Sequence, residues 1–396
     1  LIKLPVGSID PKGWLRRQLE LEADGFVGHL AEISTFCRKK GNAWLNPAGR
    51  GHSGWEEVPY WLRGFVALGY ILGDERIITA SRPWIENIFA GQREDGYFGP
   101  QKNLGDDTHG PDLMPNMNML FVLRHYYEYT GDKRVLETMR RYFKWELTIP
   151  DKKFFAGGWQ VPRNGDNLAT VFWLYNQTGE PFLLELAQKL QRTGASWLPT
   201  VNKGHNVDFS QGFRKPAQCY QQNRDPVFLA ATEKNWNNIM KIYGQVPGGM
   251  FGGDEFARPH YTDPRQAIET CGVVEMMFSA EKLLRITGRV TWADRCEDAA
   301  FNTLPATTTA DLKALRYLTS PNQVNSDRRS KAPALANGGP MQVMNPHDHR
   351  CCQHNFGFGW PYYADSLWCA APGNGLAAVF YAAGRVTATA GGGTAV

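Results

Sequence analysis

The chain has 396 residues, 43 basic and 39 acidic side chains and a formal net charge of +4, enough length for a large core and too even a balance for a nucleic-acid binder. It has no dense Lys/Arg tract and no long apolar run, so neither nucleic acid nor a membrane is an expected partner. Its 13 Trp, 15 Tyr and 21 Phe, many beside Gly, Pro, Asn or Asp, suit a cleft that stacks on sugar rings.

In chain order, five segments share one grammar: an apolar or aromatic helix-like run, a Gly- and Asp-containing break in which glycine ends one helix, and a new helix start at Asp, Thr or Pro. They are WLRGFVALGYILGDER with Asp74, MLFVLRHYYEYTGDKRV with Asp132, TVFWLYNQTGEPF with Glu180, PAQCYQQNRDPVF with Asp225, and MMFSAEKLLRITGRVTWADRC with Gly288. The breaks recur about every 45–65 residues, roughly one long helical hairpin apart. Long irregular loops between them, such as residues 91–116, favour a ring of hairpins with elaborate loops at one end over an open solenoid. The predicted architecture is mainly α, an (α/α)6 barrel catalytic domain over residues 1–370. Strand-like alternation is clear only in GLAAVFYAAGRVTATAGGGTAV. Residues 371–396 are therefore expected to form a short β segment, the beginning or remnant of a β-sandwich domain. The chain starts at Leu1, without methionine or a visible signal peptide, as a processed chain or fragment does. The bacterial cytoplasm or periplasm is the expected compartment, and oligomeric state is left open.

The seven cysteines are too sparse for a disulfide-built scaffold. Cys351 and Cys352 are adjacent in HRCCQHNFGFGWPYYADSLW. A bond between neighbours forces a strained ring, so they read as free thiols or metal ligands. IETCGVVEMMFSAEKLL adds Glu269 and Cys271, two apart where a helical pattern begins. Three thiolates and one carboxylate make a tetrahedral zinc set. The alternative is a buried small Cys271 beside a helix N-terminal charge. His354 is the next candidate to replace Glu269 as a ligand, ahead of His347 and His349.

A second candidate is Glu255 in GGMFGGDEFARPHY, where a Gly-rich bend presents carboxylates. An acid with a raised pKa there can protonate a departing oxygen. Asp254 competes with it, and a solvent-facing loop acid is the plain alternative. His205 in KGHNVDF and His260 are candidate substrate or carboxylate partners. Asp112, Asn116, Trp159, Gln160 and Trp55 are candidates for pocket lining.

Together these motifs resemble the glycoside hydrolase family 127 and 146 group, the β-L-arabinofuranosidase-like proteins. The likeness runs through LPVGSIDPKGWLRRQLE, IETCGVVEMMFSAEKLLRITG, WADRCEDAAFNTLPATTTADLKALRYLTSPNQV, RCCQHNFGFGWPYYADSLW and GLAAVFYA, in the family's order. It implies a catalytic (α/α)6 barrel followed by β-sandwich material. It also implies zinc on Glu269, Cys271, Cys351 and Cys352, with Cys351 as nucleophile, Glu255 as acid/base and His205 near bound sugar. The implied activity is a retaining exo-glycosidase that releases a terminal β-linked furanose or related pentose, β-L-arabinofuranose first, from an oligosaccharide or polysaccharide-derived substrate.

Two departures from the family bear on the sugar-binding end. Its His-Glu motif is replaced by a stretch carrying Asn116 and Asn118, and CCQHN puts His354 where smaller residues are usual. Asn116, His354 and Trp159 therefore join His205 as expected substrate contacts. Other readings are the same scaffold acting on another plant or algal sugar, a lyase, or a non-catalytic carbohydrate-binding protein with structural zinc. A catalytic centre needs Cys351 at an opening, whereas a structural one is closed over.

Overall fold

The computed structural model describes every residue except 107, 200, 202–203, 245–248, 255–256, 258–266, 322–324, 328, 330–343, 345–349, 391–392 and 396. Its helices, in order, are α1 (Gly13–Asp24), α2 (Phe26–Ile33), α3 (Glu57–Leu72), α4 (Glu75–Gly91), α5 (Met114–Thr130), α6 (Arg134–Thr148), α7 (Gln160–Arg163) and α8 (Gly165–Thr178). They continue with α9 (Phe182–Arg192), α10 (Asn206–Gly212), α11 (Lys215–Asn223), α12 (Pro226–Tyr243), α13 (Thr270–Thr287), α14 (Thr291–Asp298), α15 (Cys352–Asn355) and α16 (Gly359–Ala364).

Two burial patterns sort these helices into two rings. In α3 every residue from Glu57 to Gly69 is buried, and in α13 every residue from Thr270 to Glu281. A helix buried all round belongs inside. Outer α6 instead buries Val135, Thr138, Met139, Tyr142, Phe143 and Glu146, a single stripe at helical spacing. Neighbouring inner walls pack in sequence around the axis: α3 on α5, α5 on α8, α8 on α10 and α11, these on α13, α13 on α15 and α16, and α16 back on α3. The outer partners are α4, α6, α9, α12, α14 and the α1–α2 pair. This is the predicted (α/α)6 barrel.

The inner-to-outer turns follow the breaks seen in the sequence. Gly73, Gly131, Gly179 and Gly288 end their helices in the left-handed region, with φ of 67°, 69°, 69° and 68°. Asp74 and Asp225 then cap α4 and α12 through their side chains. At the fourth break Arg224, not a glycine, takes the left-handed position at φ 59°.

The chain's first helices close the ring over its last. The Trp14 ring meets Trp360 edge-on at 5.7 Å, and Phe26 meets Phe356 at 5.4 Å. The glycines of FGFGW explain how closely this wall sits. A Cβ on Gly64 of α3 falls 2.2 Å from the Gly357 carbonyl carbon, so the two backbones touch directly. That contact presses the segment after Cys352 onto α3.

The barrel axis holds charge. Arg63 and Glu275, both fully buried, pair at 2.9 Å, and Arg214 pairs with Asp166. The Arg63 guanidinium also lies 3.8 Å over the Phe358 ring and 4.7 Å over Phe278.

The C-terminal β character is present, and its partners come from the other end of the chain. β1 (Ile2–Lys3) pairs with β5 (Trp368–Ala371), which forms a hairpin with β6 (Gly375–Ala378), and β2 (Ile9–Pro11) pairs with β7 (Gly384–Val386). The β5–β6 hairpin straddles residue 370, so the expected boundary falls inside a strand. Inside the barrel, β3 (Ile268–Glu269) pairs with β4 (Leu318–Thr319) immediately before α13. No described helix is long and apolar enough to cross a membrane.

Candidate metal and catalytic centre

Glu269 ends β3 and caps α13, and Cys271 lies in that helix's first turn. The strand pairing fixes Glu269 opposite Leu318, and its N–H donates to the Gly253 carbonyl at 3.1 Å. From the facing wall, Cys351 caps α15 and Cys352 opens it. Two helix N-termini therefore meet here, and their N–H dipoles favour negative sulfur and oxygen. The Cys271 N–H donates to Cys352 Sγ at 3.3 Å.

The four ligand atoms of Glu269, Cys271, Cys351 and Cys352 lie within 4.8 Å of one another. Cys351 Sγ and Cys352 Sγ are each 3.6 Å from Glu269 Oε1 and 3.9 Å apart. A tetrahedral zinc with bonds of about 2.3 Å to sulfur and 2.0 Å to oxygen spaces its donors roughly 3.5–3.8 Å apart. The donor set and its spacing fit that ion.

His205 backs the cluster. Its Nδ1 accepts the Val207 N–H at 3.0 Å, capping α10. That leaves Nε2 as the N–H side, 3.4 Å from Glu269 Oε2. The ring thus lies against the carboxylate that would ligate the metal, where it can help to orient it. Replacing His205 with Ala should weaken zinc binding about 10- to 100-fold, read by competition with a chelating indicator. Unchanged affinity would remove His205 from that role.

The three thiols are not equivalent. Hydrogen bonds from Cys271 and then Cys352 hold the Cys351 thiol well below the usual range, with His205 and Arg163 adding to the effect. Burial pushes Cys271 and Cys352 well above it. Negative charge thus gathers on Cys351. Exposure follows the same division: Glu269, Cys271 and Cys352 are 1%, 2% and 0% exposed, while Cys351 is only half-buried.

The other predicted residues divide between the site and the framework. Trp159, 40% exposed, sets its ring 4.8 Å from His205. Asp254 is fully buried, and its carbonyl accepts the Asn206 N–H next to His205. His354 lies beneath the cysteine pair: it is fully buried, bonded to Ser34 Oγ at 2.8 Å and to the Arg350 carbonyl, and burial lowers its pKa to about 4. Those bonds place it in the framework and outside the metal cluster. Asn116 is likewise fully buried, donating to the Phe98 carbonyl at 2.8 Å, and Gln160 ties Leu113 N–H to the Pro111 carbonyl. Trp55 donates to Asp112 at 2.8 Å and lies under the Arg350 guanidinium. Glu255, His260, His347 and His349 lie outside the described residues.

Three groups at the site were not singled out by the sequence: Glu56, Tyr60 and Arg163. Arg163 bonds Asp208 at 2.7 Å and lies 5.1 Å over the Trp159 ring. The available signal was WEEVPYW, two adjacent acids inside an otherwise apolar and aromatic run.

A closed ring of helical hairpins, with a thiolate–carboxylate centre at one end, places the chain in the helical-toroid class that includes sugar-processing enzymes. Residues 25–365 match the family described as β-L-arabinofuranosidase, GH127 catalytic domain, and the chain belongs to that family of glycoside hydrolases. A non-reducing end β-L-arabinofuranosidase of Bifidobacterium longum subsp. longum is 24% identical over 265 residues, 65% of this chain; the match spans only 36% of that protein's length. A GH127 β-L-arabinofuranosidase from Geobacillus stearothermophilus T6 superposes with a TM-score of 0.75 at 16% identity, over 98% of this chain and 69% of the other. A second GH127 β-arabinofuranosidase gives 0.74 at 14% identity, over 99% of this chain and 66% of the other. A D-mannose isomerase also shares the barrel, at 0.52 and 9% identity over 89% of this chain and 99% of the other, so the fold alone does not select the chemistry.

Proposed function

We propose that the protein is a retaining exo-glycosidase that removes a terminal β-linked furanose, β-L-arabinofuranose first, with Cys351 as nucleophile. The observation that carries this reading is the inequality of the four donors. Three are sealed, and Cys351 alone is half-buried, with hydrogen bonds from Cys271 and Cys352 drawing its thiol below the usual range. A purely structural zinc site has no use for a donor left at the opening.

Glu269, Cys271, Cys351 and Cys352 would hold zinc, which when bound keeps the sulfurs ionised and makes Cys351 a better leaving group. In the first step the Cys351 sulfur attacks the anomeric carbon and forms a C–S bond. The glycosidic C–O bond breaks, and Glu255 gives its proton to the departing oxygen. In the second step Glu255 takes a proton from water as the water oxygen attacks the same carbon. The C–S bond then breaks and Cys351 recovers its electron pair as thiolate. Two inversions give net retention. Arg163 adds positive potential beside the sulfur, and Trp159 offers an exposed ring for a sugar face.

Proton NMR of the sugar first released by the zinc-loaded chain from 4-nitrophenyl β-L-arabinofuranoside tests this. The β-anomer should appear first and mutarotate later. An α-anomer first would mean a single displacement by water and would remove Cys351 from the nucleophile role.

A further inference from the structure

Beside Cys351 the inner wall carries three polar side chains that the framework leaves unused. Glu56 is 5% exposed, and its backbone carbonyl accepts the Tyr60 N–H at 2.9 Å to start α3. Its carboxyl makes no hydrogen bond or ion pair to any described residue, and neither does the hydroxyl of Tyr60, which is 1% exposed. Arg163, 5% exposed, spends its Nε on Asp208, and its terminal nitrogens reach no oxygen among the described residues. None of these polar atoms is sealed from solvent, so they border open space and not packed protein.

Geometry brings them to the cluster: the Arg163 guanidinium lies 5.1 Å over the Trp159 ring, itself 4.8 Å from His205, and Glu57, next to Glu56, bonds Arg350, next to Cys351. Burial first, then the Cys351 thiolate, pushes the Glu56 carboxyl well above its usual range, and Arg163 opposes the shift. Glu56 and Arg163 act on Tyr60 as well. No ion pair joins Glu56 to Arg163, so their polar atoms along the open space are available to a ligand's hydroxyls.

From this arrangement we infer that Glu56, Tyr60 and Arg163 form a clamp for two adjacent hydroxyls of the sugar held over Cys351. A sugar hydroxyl both donates and accepts, so one hydroxyl can bridge Arg163 to Glu56 while its neighbour meets Tyr60. The charge balance selects the sugar class. Arg163 is already neutralised by Asp208, and Glu56 adds an acid, so a neutral vicinal diol fits and a carboxylate-bearing sugar does not. The inference rests on the glycosidase reading for the identity of the sugar, while the clamp itself is a binding claim.

Binding of methyl β-L-arabinofuranoside and its 2-deoxy and 3-deoxy analogues to the zinc-loaded chain, followed by calorimetry, tests it separately from cleavage. Glu56→Gln and Tyr60→Phe keep the side-chain shape, and Arg163→Met removes the donor. Glu56→Gln and Arg163→Met should each weaken binding of the parent glycoside about 10- to 100-fold, and Tyr60→Phe about 3- to 10-fold, with zinc content and Tm unchanged for Glu56→Gln and Tyr60→Phe. One deoxy analogue should lose nothing further in the variant that has lost its partner, a result that a structural role would not produce. Equal losses across all three sugars, or variants that bind like the native chain, overturn the clamp. So does tighter binding of methyl β-D-glucuronide than of the arabinoside. Clamp-dependent binding without cleavage leaves the clamp standing and sinks the hydrolase reading; cleavage untouched by the variants does the reverse. Neither binding nor cleavage sinks both.

Discussion

Cys351→Ala is expected to lower kcat/KM on an arabinofuranoside by about 10⁴-fold or more, because the covalent route is lost with its nucleophile. The physical argument is the division of labour within the pair. Cys352 is fully buried, its sulfur accepts the Cys271 N–H at 3.3 Å, and burial pushes its thiol up from the usual range. Cys351 is half-buried, and its thiolate is favoured by donors on two sides. Zinc content and a peptide-mass search for a sugar adduct complete the measurement. The native chain should carry the adduct on the peptide containing Cys351, and the variant should carry none. Activity within tenfold of native, with zinc retained, would sink the nucleophile assignment.

The second large effect is on stability. Arg63→Met should cost about 3–5 kcal/mol, because it strands a buried carboxylate on the barrel axis. Arg63 bonds Glu275 at 2.9 Å and reaches Asn118 Oδ1 and the Tyr362 hydroxyl at 3.4 Å, joining α3 to α5, α13 and α16. Without it, Glu275 keeps only Asn355 Nδ2, at 3.2 Å, among these partners. The paired change Arg63→Met with Glu275→Leu should recover most of the loss, since both charges leave together and the Phe121, Phe278 and Phe358 rings remain to pack. Denaturant unfolding of the native chain and the two variants reads this directly. A double variant no better than Arg63→Met alone would mean that the pair is held by packing and not by its charge balance.

Much of the site was legible because its chemistry is written in short motifs. Glu269 and Cys271 sit two apart at a helix start, Cys351 and Cys352 are neighbours, and such pairs survive any uncertainty about the fold. The glycine breaks were legible for a similar reason: a left-handed residue at a helix end is a local demand, met at Gly73, Gly131, Gly179 and Gly288. Arg224 shows the limit of that rule, since a helix can end in the same conformation without a glycine.

His354 and Asn116 were harder to read. Each looked like a polar residue available to a sugar; His354 is buried and bonded to Ser34 Oγ and the Arg350 carbonyl, and Asn116 is buried with its amide N–H on the Phe98 carbonyl. Polarity is visible in a sequence, whereas the partner that satisfies it is not. The pairing of residues 2–11 with the C-terminal strands is similar, because a strand's partner depends on where the closed ring brings the chain ends.

Helix periodicity and residue type are properties of neighbouring residues, so the helical-hairpin class and the four side chains that cluster could be read along the chain. That Cys351 is left half-buried while Cys352 is sealed, and that Arg163 comes over Trp159 beside His205, emerges only from packing. Those distinctions are set by burial and by approach across the ring, between residues far apart in the chain, and no local pattern carries them.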